Sequence, residues 1–168
     1  MTDVDTRQAV HPLIALLDSL QDNRAALAAL RRGLGQPRSM AADMHRYLIP
    51  LLPERISRWD EQCYYLIAAL YGLHPKPASS GNLGRHFAQT LAQAGEAGAE
   101  AVERRFIALL DAHPDDLAFY LRQAISFLKG KEEIPVNYQR LLYDVMAWND
   151  PERRIQVQRR WAQGFWRP

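Results

Sequence analysis

Apolar positions recur along this chain at spacings of three and four residues, and nowhere do they alternate with polar ones for more than a few residues. That period, repeated with helix start and stop signals from end to end, predicts an all-α protein: a helical bundle of about eight to nine helices in two small subdomains. A first helix is expected near Pro12 to Leu20. Asp22 is placed to N-cap a second, in which Leu27, Leu30 and Leu34 share a stripe and Gly33 or Gly35, followed by Pro37, ends the element. Ser39 can cap a third helix, Met40 to about Leu48, after which Pro50 and Pro53 break the chain. Ser57 and Asp60 then open the most apolar segment, Glu61 to Tyr71, which is apolar nearly all round and so belongs at the centre of the fold.

Two prolines, two serines and a glycine fall within residues 74–81, a composition that cannot sustain a helix. This stretch is expected to link an N-terminal helical subdomain, 1–75, to a C-terminal one, 82–168. Beyond it Asn82 caps a helix to about Ala94, and a loop over Gly95-Glu-Ala-Gly98 leads into one that turns Val102, Phe106, Leu109 and Leu110 inward. Pro114 stops that helix and Asp115 caps the next, with Leu117, Leu121, Ala124 and Leu128 on one face and Arg122 and Lys129, seven residues apart, away from it. Pro135 precedes a helix through Tyr143 to Trp148. In the last helix Asp150 is the N-cap, Pro151 takes the first position, and Val157, Trp161 and Phe165 form the apolar side opposite Arg153, Gln156, Arg160 and Gln163.

Composition narrows the class without changing the fold. With 48% apolar and 24% charged residues in 168, the chain can bury a core, and disorder is excluded as its main state. Its longest apolar runs fall well short of the ~20 residues a membrane helix needs, and the acidic beginning does not read as a signal peptide, so a cytoplasmic protein that does not enter membranes is expected. Charge is more telling. A net +2 conceals 18 Arg against 3 Lys, segregated so that residues 24–60 carry +4 and 134–168 carry +3 while the other segments are acidic. Arginine's planar fork reads phosphate oxygens, so the distribution suits nucleic acid held at a few defined places, although arginine-rich codon usage would produce the same bias.

The chemistry of catalysis is missing. His11, His45, His74, His86 and His113 are dispersed, with no pair at the spacing that places two imidazoles on one metal. The cluster Asp111, His113, Asp115 and Asp116 reads as a helix stop and cap, and Cys63, within an apolar helix with nothing cationic beside it, reads as a buried thiol. Gly33-Leu-Gly35 leaves a helix where a dinucleotide fingerprint must leave a strand. Gly95-Glu-Ala-Gly98 puts an acid where an RNA clamp would seat phosphates. Tyr64, Tyr65, Phe106, Phe127, Trp148, Trp161 and Phe165 lie at helical spacing, as core residues do. No catalytic residue, metal or cofactor is expected. The paired arginines at 31–32, 104–105, 153–154 and 159–160, with Arg58, Arg85 and Arg122 alone, could each be a solvated face.

Taken in order, the segments LRRGLG (30–35), YLIP (47–50), YYLIAALYGLHP (64–75), NLGR (82–85), ERRF (103–106), LR (121–122), IPVNY (134–138) and VQRRWA (157–162) resemble the CasB family, the small subunits of the type I-E CRISPR surveillance complex Cascade. The resemblance covers roughly residues 24 to 166. It implies an all-helical protein without enzymatic activity, present in two copies against the backbone and large subunits, near the guide RNA, where it helps to hold opened target DNA. The positions on the family's basic pattern are Arg31, Arg32, Arg58, Arg85, Arg105 and Arg122. Gln123 stands where relatives carry a second basic residue, and Lys129 could compensate one face turn later. Two rivals remain: a helix-turn-helix regulator, for which no helix pair has the short turn and basic second helix, and a helical adaptor that binds only protein.

Overall fold

The computed structural model describes residues 9–35, 42–131 and 133–168 of the chain. Among them are nine α-helices: α1 (Pro12–Ser19), α2 (Arg24–Arg31), α3 (Ala42–Leu48), α4 (Arg58–Leu73), α5 (Leu83–Gln89), α6 (Glu96–Leu110), α7 (Leu117–Gly130), α8 (Tyr138–Ala147) and α9 (Pro151–Trp166). The all-α expectation holds, since extended pairing among the described residues amounts to one isolated bridge between Pro77 and Val136.

The caps explain where the helices start. Ser57, Asn82, Asn137 and Asp150 each accept a backbone N–H of the turn that follows. Three expectations shift. Asn23, not Asp22, caps α2, because its Oδ1 accepts from Ala26 N at 3.0 Å. His113, not Asp115, caps the turn after α6: its Nδ1 accepts from Asp115 N at 3.1 Å and opens a 3-10 turn, Pro114–Asp116, before α7. Gly95 is itself the N-cap of α6, so Glu96 to Gly98 are helical and not loop. The proposed cap at Ser39 lies outside the described residues.

Helix α4 is central, as its composition predicts. From Cys63 to Gly72 all its residues but Leu66 are buried, and it packs against α1, α2, α3, α7 and α8. The segment 74–81 is non-helical but tied down. His74 Nε2 donates to Ile134 O at 2.7 Å, Val136 N donates to Lys76 O and Ala78 N to Val136 O, each at 2.9 Å, and Tyr138 Oη donates to His74 O at 2.6 Å. One hydrophobic cluster takes in buried residues from both sides of this segment, from Leu13 and Leu30 to Trp148 and Trp161. Full burial of an aromatic side chain of that size is worth about 1.5–3 kcal/mol or more. Helix α9 lies along α5, where a Cβ on Gly84 would overlap the Trp161 carbonyl, so the two backbones meet with no room for a side chain.

Candidate nucleic-acid interface

Helices α6 and α7 pack through the faces their spacing predicts, Val102, Phe106 and Leu109 on one and Leu117, Leu121, Ala124 and Leu128 on the other, all buried. Arg105 precedes Phe106 and is therefore turned to the edge of that interface. Its guanidinium carbon sits 5.2 Å from the centroid of the Phe127 ring of α7, and Lys131 Nζ sits 6.0 Å from the same ring. Phe127 is only half-buried and stacks on Phe87 at 5.6 Å. Arg105, Phe127 and Lys131 line a cavity of about 510 Å³ together with Gln89, Gln93 and Gly95. Among the described residues neither cation has an acidic partner within 4.0 Å.

Arg122, one turn after Phe119 on α7, lines a second cavity of about 520 Å³ whose walls include Gly35, Trp59, Cys63, Tyr65 and Asp115. It too lacks an acidic partner among the described residues. The turn that ends α2 comes up against it. Gly35 has φ +72, a conformation that favours glycine, and a Cβ there would stand 2.8 Å from Arg122 Nη1, so a larger residue would also push the guanidinium aside. Phe119, 61% exposed at this cavity, is the largest side chain α7 gives to solvent. The Cys63 thiol that forms part of the wall is pushed far up by burial and by the negative charge of Asp60, which keeps it protonated and inert.

The other candidates are dispersed. Arg31 and Arg32 close α2, both exposed, and Arg32 Nη2 pairs with Asp43 Oδ2 of α3 at 2.8 Å. Arg58 is the first residue of α4 and Arg85 stands in the first turn of α5; both are exposed and neither lines either cavity. Lys129 is exposed near His74, whose pKa is lowered first by burial and then by the charge of Lys129. The structure thus joins Arg122 to the end of α2 and Arg105 to Lys131, and leaves Arg58, Arg85 and Lys129 apart from both.

Two basic residues take roles that helical spacing does not reveal. Lys131 follows α7, and its N–H closes the helix on Phe127 O and Leu128 O; that cap swings the side chain back over the ring. Arg160, on the polar side of α9, reaches Asp144 at 3.5 Å, a carboxylate only 1% exposed that also accepts from Arg140 at 2.8 Å and from Trp161 Nε1 at 2.8 Å. Among the described residues no group of three or more His, Cys, Asp or Glu is placed to hold a metal ion, and no helix is long and apolar enough to cross a membrane.

Residues 26–166 match the family model described as CRISPR-associated protein Cse2. A relative of that same description from Thermus thermophilus is 37% identical over 143 residues, which span 84% of this chain and 79% of the relative. The crystal structure of CasB from Thermus thermophilus superposes with a TM-score of 0.75 at 33% identity, covering 95% of this chain and 100% of that one. A chain of a CRISPR RNA-guided surveillance complex superposes with a TM-score of 0.70 at 28% identity, covering 92% of this chain and 89% of its own length.

Proposed function

The chain belongs to the CRISPR-associated Cse2 family, and from that premise we propose that it is a non-catalytic subunit of a type I-E Cascade surveillance complex that steadies opened target DNA through arginine contacts to backbone phosphates. Its partners are then the backbone and large subunits, a second copy of itself, the guide RNA and the target DNA. The observation that carries the reading is the pair of solvent-facing arginines, Arg105 and Arg122, that stand at cavities and have no acidic partner within 4.0 Å among the described residues. An arginine already paired internally would have to give up its partner first. Arg32 is such a case, yet its pair with Asp43 is exposed on both sides, and pairs of that kind are worth only about 0–1 kcal/mol, so exchange for a phosphate is cheap.

Small contacts suffice because exchanging a DNA duplex for a guide–target heteroduplex is nearly balanced in free energy. The test reverses Arg32, Arg58, Arg105 and Arg122 to Glu and follows the lifetime of the opened target in the assembled complex. All four are exposed, so the melting temperature should stay close to wild type while the opened state recloses faster. The control is Arg153→Glu with Arg159→Glu, two exposed residues of α9; Arg160 is excluded because it serves the buried Asp144. If the fourfold variant holds target DNA as long as wild type, the arginine surface is not the contact and the subunit acts through protein alone.

A further inference from the structure

The cavity under Arg105 differs from the one beside Arg122 in what it lacks: among the described residues no acidic side chain lines it. Two cations converge there on one ring, 5.2 and 6.0 Å from the Phe127 centroid. Their mutual repulsion is relieved only in part by the quadrupole of that ring, and an anion between them would complete the arrangement. Glu133, two residues after Lys131, is engaged elsewhere, with its Oε2 3.8 Å from Lys76 Nζ.

The space is too large for an anion alone. At about 510 Å³ it falls in the range of small-molecule sites, and its remaining polar groups are uncharged. Gln89 and Gln93 are exposed at its rim, and each amide offers a donor and an acceptor. Small residues leave the opposite wall bare: a Cβ built on Gly95 meets nothing within 4 Å. An anionic group beside a flat, hydrogen-bonding, uncharged body is the chemistry of a nucleotide, and the base must be unpaired to enter.

Taking the interface proposed above as its setting, we propose that this cavity is a subsite for one nucleotide of a single strand. The phosphate lies between Arg105 and Lys131, and the unstacked base enters against Gln89 and Gln93. Lys131, a residue outside the basic pattern of the sequence, thereby becomes a binding residue.

The test compares binding of the full chain at low salt to a strand of about twelve thymidylates and to an abasic strand of the same length and charge, which isolates the base from the phosphates. Wild type should prefer the thymidylate strand by about tenfold, the scale of one accommodated base. Gly95→Phe places a ring in the empty space at a position whose φ of -63 any residue adopts, and it should erase the preference while leaving binding to the abasic strand intact. Gln93→Leu, on the exposed rim, should weaken the preference by itself. Equal affinity of wild type for the two strands, or a preference that survives Gly95→Phe, would overturn the subsite and leave the wider reading standing. Binding to neither strand would remove the wider reading as well. If polyglutamate of matched charge competes as well as the thymidylate strand, the cavity receives an acidic peptide of a partner and not a nucleotide.

Discussion

His86 is 2% exposed, and its Nε2 accepts from Asn137 N at 3.0 Å, so the neutral ring must carry its proton on Nδ1, which finds no partner among the described residues. Burial, aided by the charge of Arg85, lowers its pKa to about 4. An unfolded histidine titrates near 6.5, so between about pH 6.5 and 4 the unfolded chain binds more protons than the folded one. Stability should be full above pH 6.5, fall as pH drops, and have lost about 3 kcal/mol from this group by pH 4. Burial lowers His11 and His74 in the same direction. Urea titrations across that range check it; His86→Gln, which keeps an acceptor for Asn137 N, should flatten the slope. Asp144 gives a second prediction: Asp144→Ala strands the buried Trp161 Nε1 and removes the partner of two part-exposed guanidinium groups, and should cost about 1–3 kcal/mol in chemical denaturation. Neither residue is legible in the sequence, where His86 is one of five scattered histidines and Asp144 one acid in an amphipathic helix. Arg140, four residues before Asp144, is within reach of helical spacing, but the bonds that bury the two side chains come from Trp161, 17 residues from Asp144, and Asn137, 51 from His86. Arg105 and Arg122 are legible as exposed positions because their own helices dictate the faces.

At the level of elements, the apolar stripes of α7 and α9 are readable because burial follows a period of 3.6, and α4 is readable as central because it is apolar nearly all round. Their ends are less so. An imidazole is outside the usual capping set, yet His11 caps α1 and His113 caps the turn before α7, each through Nδ1. Asn82 does two things at once: Oδ1 accepts from Arg85 N at 3.1 Å and Nδ2 donates to Arg160 O at 3.1 Å, so one side chain both starts α5 and ties α9 to it. Asn82→Ala should therefore cost more than the ~1 kcal/mol of a simple cap, read as a shift in denaturation midpoint. Asn23→Ala, a cap without a second bond, is the reference. The α5–α9 crossing can be probed at Gly84, where Ala would drive the backbones apart and should cost about 1–3 kcal/mol or more.

For the whole molecule, residues before and after 74–81 share one buried cluster, and five hydrogen bonds, Asn137 Nδ2 to Gly81 O among them, fix that segment to 134–138. Halves so joined should unfold in a single transition, with calorimetric and van't Hoff enthalpies that agree; two resolved transitions would show two subdomains of separate stability. The sequence marks 74–81 as a break in helix, which it is, but period and composition are silent on bonds to a strand-like segment some 60 residues on. The position of α9 has a consequence in time. Val157, Trp161 and Phe165 fill the groove beside α5 and α6, and α9 leaves the ribosome after the other described helices. Until it arrives, Phe87 and Phe106, to which Phe165 adds a ring stacked at 4.4 Å, face water, so a nascent chain halted before α9 is a sticky, chaperone-seeking species rather than a smaller folded protein.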